Sequence, residues 1–157
     1  MKPKEEFPIK DVVLIEELIS RKDSVHFLEV TGGMLTHPTK DGWTYEIFEP
    51  SEALAGGEIL SLEEKFLAGE GQNITPARFS KDKTMYSTIA EQVKNTLKEA
   101  AKILGVKGYC RIDAFVRIFE DGKAETLVIE INSLPGMTPA TCIFHQSAIN
   151  GLSLIHI

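Results

Sequence analysis

Alternation of polar and apolar residues is clearest between residues 109 and 132, where it predicts two β-strands. In RIDAFVRIF, residues 111–119, charged and aromatic side chains occupy odd positions and aliphatic ones occupy even positions. TLVIEIN, residues 126–132, alternates in the same way, and a period of two is typical of a strand with two different faces. Asp121-Gly122 between them favours a two-residue hairpin turn. One face of the second strand is predicted to carry Thr126, Val128, Glu130 and Asn132.

A two-residue turn also predicts which residues face each other, because the register of a hairpin follows from its turn. Asp113 is then opposite Glu130, and Arg111 is opposite Asn132. Two carboxylates about 4 Å apart repel by about 4 kcal/mol at an effective dielectric near 20. The pair therefore calls for a proton on one carboxylate or a cation between them. With the oxygen of Asn132 added, such a site suits Mg²⁺ or Mn²⁺ rather than zinc; solvated charges on a surface hairpin are the alternative.

Weaker patterns predict the remaining elements. Apolar runs indicate strands at residues 11–19 and 25–30, the second ended by Thr31-Gly32-Gly33. Residues 34–49 indicate a hairpin that turns at Lys40-Asp41-Gly42. Helical spacing of apolar residues predicts a long amphipathic helix over 80–105, which covers the sheet, and a shorter helix follows over 143–150.

Composition narrows the class of protein. The chain has 157 residues, 43% of them hydrophobic, and this is enough for one domain with a core. A net charge of −6 without a basic run argues against nucleic acid and anionic membranes as partners. No apolar run approaches the roughly 20 residues of a membrane span, and no secretory signal is recognisable. With its two cysteines interpreted as reduced thiols, the chain is predicted to be cytoplasmic.

The strings GYCRIDAFV, DGK and VIEINSLPGMTP resemble the C-terminal core of the D-alanine–D-alanine ligases, members of the ATP-grasp superfamily. The similarity runs from about residue 12 to residue 151. It implies an α+β fold, the ATP-grasp C-terminal subdomain, with an antiparallel sheet and helices packed on one face. Residues 1–157 would form part of an ATP-grasp domain, with the N-terminal substrate domain and most of the central domain missing upstream. Residues 152–157 depart from the family pattern and are expected to be a non-native tail.

The resemblance implies a two-step reaction and roles for the central hairpin. ATP phosphorylates the carboxylate of one D-alanine, and the amine of a second D-alanine attacks the acyl phosphate, which yields a peptidoglycan precursor. Arg111 and the N–H of Gly136 would stabilise the oxyanion, and Thr141 and Cys142 would contact substrate. Two Mg²⁺ or Mn²⁺ ions would be held by Asp113, Glu130 and Asn132.

The resemblance further implies a nucleotide site in the first half of the chain and, because family members are often homodimers, a dimer. Lys65 would contact the ATP phosphates, and Phe66 follows it where tyrosine is usual. Family members with phenylalanine there include ligases that join D-alanine to D-lactate, so this activity, another amino acid substrate, or a non-catalytic nucleotide- or metal-binding module remain alternatives. The other nucleotide-binding positions would be Glu16, Glu17, Ile19 and Asp23.

Overall fold

A computed structural model of the chain describes residues 13–54 and 73–157. Within these residues the core is a six-stranded sheet in which all neighbouring strands are antiparallel. The strands are β1 His26–Thr39, β2 Gly42–Ile47, β3 Ser51–Ala53, β4 Asn73–Ile74, β5 Tyr109–Ile118 and β6 Ala124–Asn132. The helices are α1 Lys83–Ile103 and α2 Cys142–Ile149, and a short 3₁₀ helix spans Leu154–His156.

Strand β1 is the centre of the sheet because it pairs on both sides. Its first ten residues pair with β5, so that the two strands form one continuous ladder. On its other side it pairs first with β3, ending at Thr31 opposite Ser51, and then with β2, beginning at Met34 opposite Ile47. Residues 48–50 therefore lie opposite only two residues of β1, Gly32 and Gly33. Strands β2 and β3 thus pair with the same edge of β1 and are separated by a bulge.

Helix α1 covers one face of the sheet, as its sequence predicts. It begins after Asp82, whose side chain accepts a hydrogen bond from the backbone N–H of Met85 and so satisfies a free N–H of the first turn. The predicted helix is confirmed, although it starts three residues later than the pattern suggests. Its buried side chains, which pack on the aliphatic face of β1 and β5, are Ile89, Ala90, Val93, Leu97 and Ala101.

Helix α2 lies on the opposite face, and two consecutive glycines in β1 show this. A Cβ added to Gly32 would lie 2.5 Å from Cδ1 of Leu97 in α1, whereas one added to Gly33 would lie 2.5 Å from Oε1 of Gln146 and 3.0 Å from Cγ1 of Ile143 in α2. Consecutive residues of a strand point to opposite faces, so the two helices enclose the sheet between them. The α+β class and the antiparallel sheet are confirmed, whereas the packing of both helices on one face is wrong.

Two predicted strands differ from the structure. The described part of the first, from residue 13 onward, has no regular structure, and Val13, Leu14 and Ile15 are exposed. The second does not end at Thr31-Gly32-Gly33, because the glycines admit the helices to both faces instead of breaking the strand. The hairpin that turns before Gly42 and the helix predicted at 143–150 are confirmed, the latter one residue earlier.

The last residues of the chain contact the fold. Leu152 and Ile157 pack against a small cluster of buried residues on the α2 side, formed by Leu35, Phe48 and Ile143. The predicted tail at 152–157 is thus in contact with the sheet and α2, and its non-native origin stays a prediction.

Candidate functional site

Two rows of side chains cross three strands on the α2 side of the sheet. As predicted from the sequence, β5 and β6 place Asp113 opposite Glu130 and Arg111 opposite Asn132. Strand β1 extends both rows, with Thr31 beside Asp113 and Gly33 beside Arg111. Strands β1 and β5 have neighbours on both sides, whereas β6, which carries Glu130 and Asn132, is an edge strand of the described sheet.

The register of this hairpin depends on two irregularities that cancel. The turn contains three residues, 120–122, rather than two, since Phe119 donates its N–H to the carbonyl of Lys123 at 2.9 Å and Ile118 pairs with Ala124. A β-bulge at Ile129 then adds one residue to β6, which restores the pairing of Asp113 with Glu130. The predicted pairing is confirmed although the predicted turn is wrong.

The bulge also changes which side chains of β6 share a face. Val128 pairs with Ala114 and Thr126 pairs with Val116, so both lie on the α1 side. Glu130 and Asn132 lie on the other side with Asp113. The prediction that all four residues occupy one face is therefore wrong for the half of the strand near the turn.

The carboxylate of Asp113 accepts hydrogen bonds from three side chains. The Thr31 hydroxyl donates to Oδ1 at 2.9 Å, and Arg111 donates from Nε to Oδ1 at 3.1 Å and from Nη2 to Oδ2 at 2.8 Å. Asn132 Nδ2 lies 3.4 Å from Oδ2 and 3.1 Å from Oε1 of Glu130, so it bridges the two acids. The charge on Asp113, for which the sequence predicted a proton or a cation, is thus paired with Arg111.

The two carboxylates differ in their exposure to solvent. The side chain of Asp113 is 11% exposed, whereas that of Glu130 is 55% exposed. Burial raises the pKa of Asp113 because the charged form loses water; the ion pair with Arg111 and the hydrogen bond from Thr31 act in the opposite direction. A cation held beside Glu130 and Asp113 would favour the charged form of both acids.

The donor set fits a hard divalent cation. Two carboxylates and one side-chain amide meet at one place, and a half-turn of the Asn132 amide would present its oxygen there. Among residues 13–54 and 73–157 no group of three or more His, Cys, Asp or Glu side chains is arranged to hold a metal ion. Water and substrate oxygens commonly complete the coordination of Mg²⁺ in proteins.

The loop after β6 leads into α2 at the edge of this site. Thr141 donates from its N–H and its hydroxyl to the carbonyl of Thr138, at 2.9 and 2.8 Å. Gly136 is exposed, and a Cβ there would lie 3.3 Å from Cγ2 of Thr141. Burial raises the pKa of the Cys142 thiol, which interacts with Ser51 and with the charges of Arg111 and Asp113. The Cys142 thiol is therefore an uncharged side chain that lines the site, and not an activated nucleophile.

The structure describes four of the six predicted nucleotide-binding residues. Glu16, Glu17 and Asp23 are exposed in the segment before β1, where Lys22 forms an ion pair with Glu17 at 3.4 Å, and Ile19 is partly buried. Lys65 and Phe66 lie outside the described residues. The roles assigned to all six remain predictions.

Sequence reasoning missed three features of the site. Thr31 was interpreted as a strand breaker, and nothing in its sequence context signals its bond to Asp113. Gln146 is completely buried, and the only signal was an amide close to the apolar residues Ile143 and Phe144 in α2. Phe27 and Phe115 stack with ring centroids 5.2 Å apart on the same face, with Phe115 one row and Phe27 two rows beyond Asp113.

A family model and curated relatives identify the family of the chain. The sequence model described as D-ala D-ala ligase C-terminus matches residues 4–157. A D-alanine–D-alanine ligase of Leptospira interrogans is 33% identical over 147 residues, which are 91% of this chain and 38% of the relative. A ligase of the same name from Leptospira biflexa is 31% identical over 94% of the chain. The chain thus spans about two-fifths of the length of these relatives.

Solved structures show the same fold. D-alanyl-alanine synthetase A from Vibrio cholerae superposes with a TM-score of 0.56 at 21% identity, over 85% of this chain and 37% of that one. The D-alanine–D-alanine ligase from Bacillus anthracis, determined with ATP, superposes with a TM-score of 0.50 at 17% identity, over 80% of this chain and 35% of that one. In the described part of the chain no helix is long and apolar enough to cross a membrane.

Proposed function

Because the chain belongs to the D-ala D-ala ligase C-terminus family, we propose that it is the C-terminal part of an ATP-dependent ligase that joins D-alanine to D-alanine. Support comes from curated relatives that carry this name and from a structural neighbour that was determined with ATP. The product would be a precursor of peptidoglycan. The cytoplasm is the proposed compartment, and a homodimer, which is common in the family, is the proposed assembly.

The observation that carries the proposal is the meeting of Asp113, Glu130 and Asn132 at one place on the sheet. These three residues would hold two Mg²⁺ or Mn²⁺ ions. When bound, the metal supplies positive charge that offsets the negative charge on a transferring phosphoryl group. The sheet contributes rigidity, because backbone pairing on both sides of β5 fixes the direction of Asp113.

The remaining residues of the site would act on the substrates. Arg111 presents a guanidinium beside the carboxylates, where it could donate to an acyl phosphate or to the oxyanion formed when an amine attacks. The exposed N–H of Gly136 would contribute a second donor. Thr141 and Cys142, at the start of α2, would contact the C-terminal substrate, with the thiol neutral. Glu16, Glu17, Ile19, Asp23, Lys65 and Phe66 would bind the nucleotide.

The metal site can be tested on this chain by titration calorimetry with Mn²⁺. Glu130→Gln should weaken Mn²⁺ binding by at least about tenfold, because one carboxylate ligand becomes a neutral amide of the same shape. Glu120→Gln is the matched control, since Glu120 is exposed in the turn of the same hairpin. Equal affinities of the wild-type chain and Glu130→Gln would contradict the proposed ligand set.

The reaction itself requires the full-length enzyme. We expect its release of phosphate from ATP to depend on D-alanine, and Glu130→Gln to abolish that release while Glu120→Gln preserves it. A full-length protein that binds nucleotide yet releases no phosphate in the presence of D-alanine would instead support a binding module.

A further inference from the structure

Gln146 fills a gap in the hydrogen bonding of the central strand. Its side chain is completely buried and forms three hydrogen bonds to residues of the sheet. Oε1 accepts the backbone N–H of Gly33 at 2.7 Å, while Nε2 donates to the carbonyl of Thr31 at 2.7 Å and to Oγ of Ser51 at 2.8 Å. One side chain of α2 thus joins β1 and β3.

The bulge between β2 and β3 explains why β1 needs this side chain. Between Thr31 and Met34 the neighbouring chain carries an extra residue and includes Pro50, which has no backbone N–H. Backbone N–H and C=O groups that are buried without a partner cost free energy, so the opening must be filled by a donor and an acceptor together. A primary amide offers both from one planar group.

The two β1 residues held in this way are the neighbours of the candidate site. Thr31 pairs with Asp113 and Gly33 pairs with Arg111 in the β1–β5 register. The Thr31 backbone is bound by Gln146, and its side chain donates to Oδ1 of Asp113 at 2.9 Å. An unbroken set of hydrogen bonds therefore runs from α2 through Thr31 to the carboxylate.

We infer that Thr31 and Gln146 are positioning residues for the Asp113 carboxylate. Thr31 binds one oxygen, Oδ1, and the other, Oδ2, faces Arg111 and Asn132. Gln146 fixes Thr31 and, because it belongs to α2, keeps the helix that carries Cys142 against the same two rows. The inference rests on the proposed function in that Asp113 is taken as a metal ligand.

Substitutions of Thr31 test the hydroxyl directly. Thr31→Val keeps the shape of the side chain and removes the donor, whereas Thr31→Ser keeps the donor. By calorimetry with Mn²⁺ on the 157-residue chain, Thr31→Val should bind about tenfold more weakly, as is usual when an outer partner of a ligand is lost, and Thr31→Ser should bind as the wild type does. Equal affinity of Thr31→Val and the wild type would overturn the inference.

Gln92 supplies a matched control for Gln146. It also reaches from a helix to both backbone groups of a strand end, donating to the carbonyl of Gly122 and accepting the N–H of Ala124, but at the far end of the hairpin. Gln146→Met should lower both stability and Mn²⁺ affinity, while Gln92→Met should lower stability alone. If Gln146→Met folds and binds Mn²⁺ as tightly as Gln92→Met does, Gln146 is only structural. If it does not fold, Ser51→Ala, which removes one bond to the same amide, takes its place.

A double-mutant cycle in urea separates this inference from the proposed function, because it needs no metal. The shift in unfolding midpoint caused by Thr31→Val should be smaller in an Asp113→Ala background, since the acceptor is already gone, while the shift caused by Gln92→Met should be unchanged. Additive shifts for Thr31 and Asp113 would overturn the positioning role. Absence of Mn²⁺ binding by the wild-type chain would contradict the proposed function, and the cycle would still decide the inference.

Discussion

Arg111 and Asp113, two residues apart on β5, form a bidentate ion pair with hydrogen bonds of 3.1 and 2.8 Å. The same guanidinium lies 3.8 Å from Oε1 of Glu130. One positive charge therefore partly neutralises both carboxylates and reduces the repulsion between them.

Removing that charge should improve cation binding. In Arg111→Gln the carboxylates lose a competing partner, and Mn²⁺ affinity should rise roughly fivefold, equivalent to about 1 kcal/mol for a partly exposed charge. Activity of the full-length enzyme should nevertheless fall, because the proposed oxyanion donor is lost.

Arg78→Gln is the control for this comparison. Arg78 also forms a two-bond pair with a carboxylate, that of Glu52, but on β3 and away from the site. Weaker Mn²⁺ binding by Arg111→Gln, measured by calorimetry beside Arg78→Gln, would show that Arg111 supports the cation instead of competing with it.

The glycine at position 32 should be sensitive to the addition of one methyl group. Gly32→Ala would place its Cβ 2.5 Å from Cδ1 of Leu97, and overpacking of this kind costs about 1–3 kcal/mol. Leu97→Val removes the opposing methyl group, so Gly32→Ala should cost less in that background. Urea unfolding of the four proteins measures the difference, and an equal cost in both backgrounds would show that the strain arises elsewhere.

The ion pair of Glu52 with Arg78 should make stability fall in acid. Hydrogen bonds from Arg78 lower the pKa of Glu52 below its ordinary 4.5, despite an opposing effect of burial. A lowered pKa means that the unfolded chain takes up the proton first, so this contribution is complete above 4.5 and is lost as the pH falls through the lowered value. The free energy of unfolding of Glu52→Gln, measured between pH 6 and roughly pH 3, should lack that part of the decline. An equal decline in the wild-type chain and in Glu52→Gln would contradict the prediction.

The chain by itself should have no ligase activity. It spans 38% of its Leptospira relatives, and catalysis by positioning requires every surface that holds the two substrates and ATP. We expect no phosphate release dependent on D-alanine from the 157-residue chain under conditions where a full-length relative is active. Such release by the chain alone would refute the prediction.

Much of the sheet and of the central hairpin could be predicted from periodicity. Alternation over residues 111–119 and the helical pattern of α1 are local properties, and burial in the folded protein reinforces both of them. The pairing of Asp113 with Glu130 followed from the turn that was assumed. It holds because the bulge at Ile129 compensates for the longer turn, and no local pattern indicates that compensation.

The contacts that the sequence did not reveal are long-range. Gln146 meets Thr31 across 115 positions of the chain, and Thr31 meets Asp113 across 82. Such bonds depend on which helix covers which face, and the sheet with both helices on one side would have placed Gln146 elsewhere. The strand predicted from residue 11 fails for a related reason, because its apolar side chains have no strand partner in the described part of the chain.

The bulge at Ile129 also bears on which changes of length the hairpin can accept. Between the turn and the bulge, the side chains of β6 that face α1 are Ala124, Thr126 and Val128, so this part of the strand is constrained by packing against the helix. Beyond the bulge, the strand is constrained by the charges of the candidate site. Deleting Ile129 would straighten the strand and still leave Val128 opposite Ala114 and Glu130 opposite Asp113. The hairpin can therefore lose its bulge residue while the two carboxylates remain opposite each other.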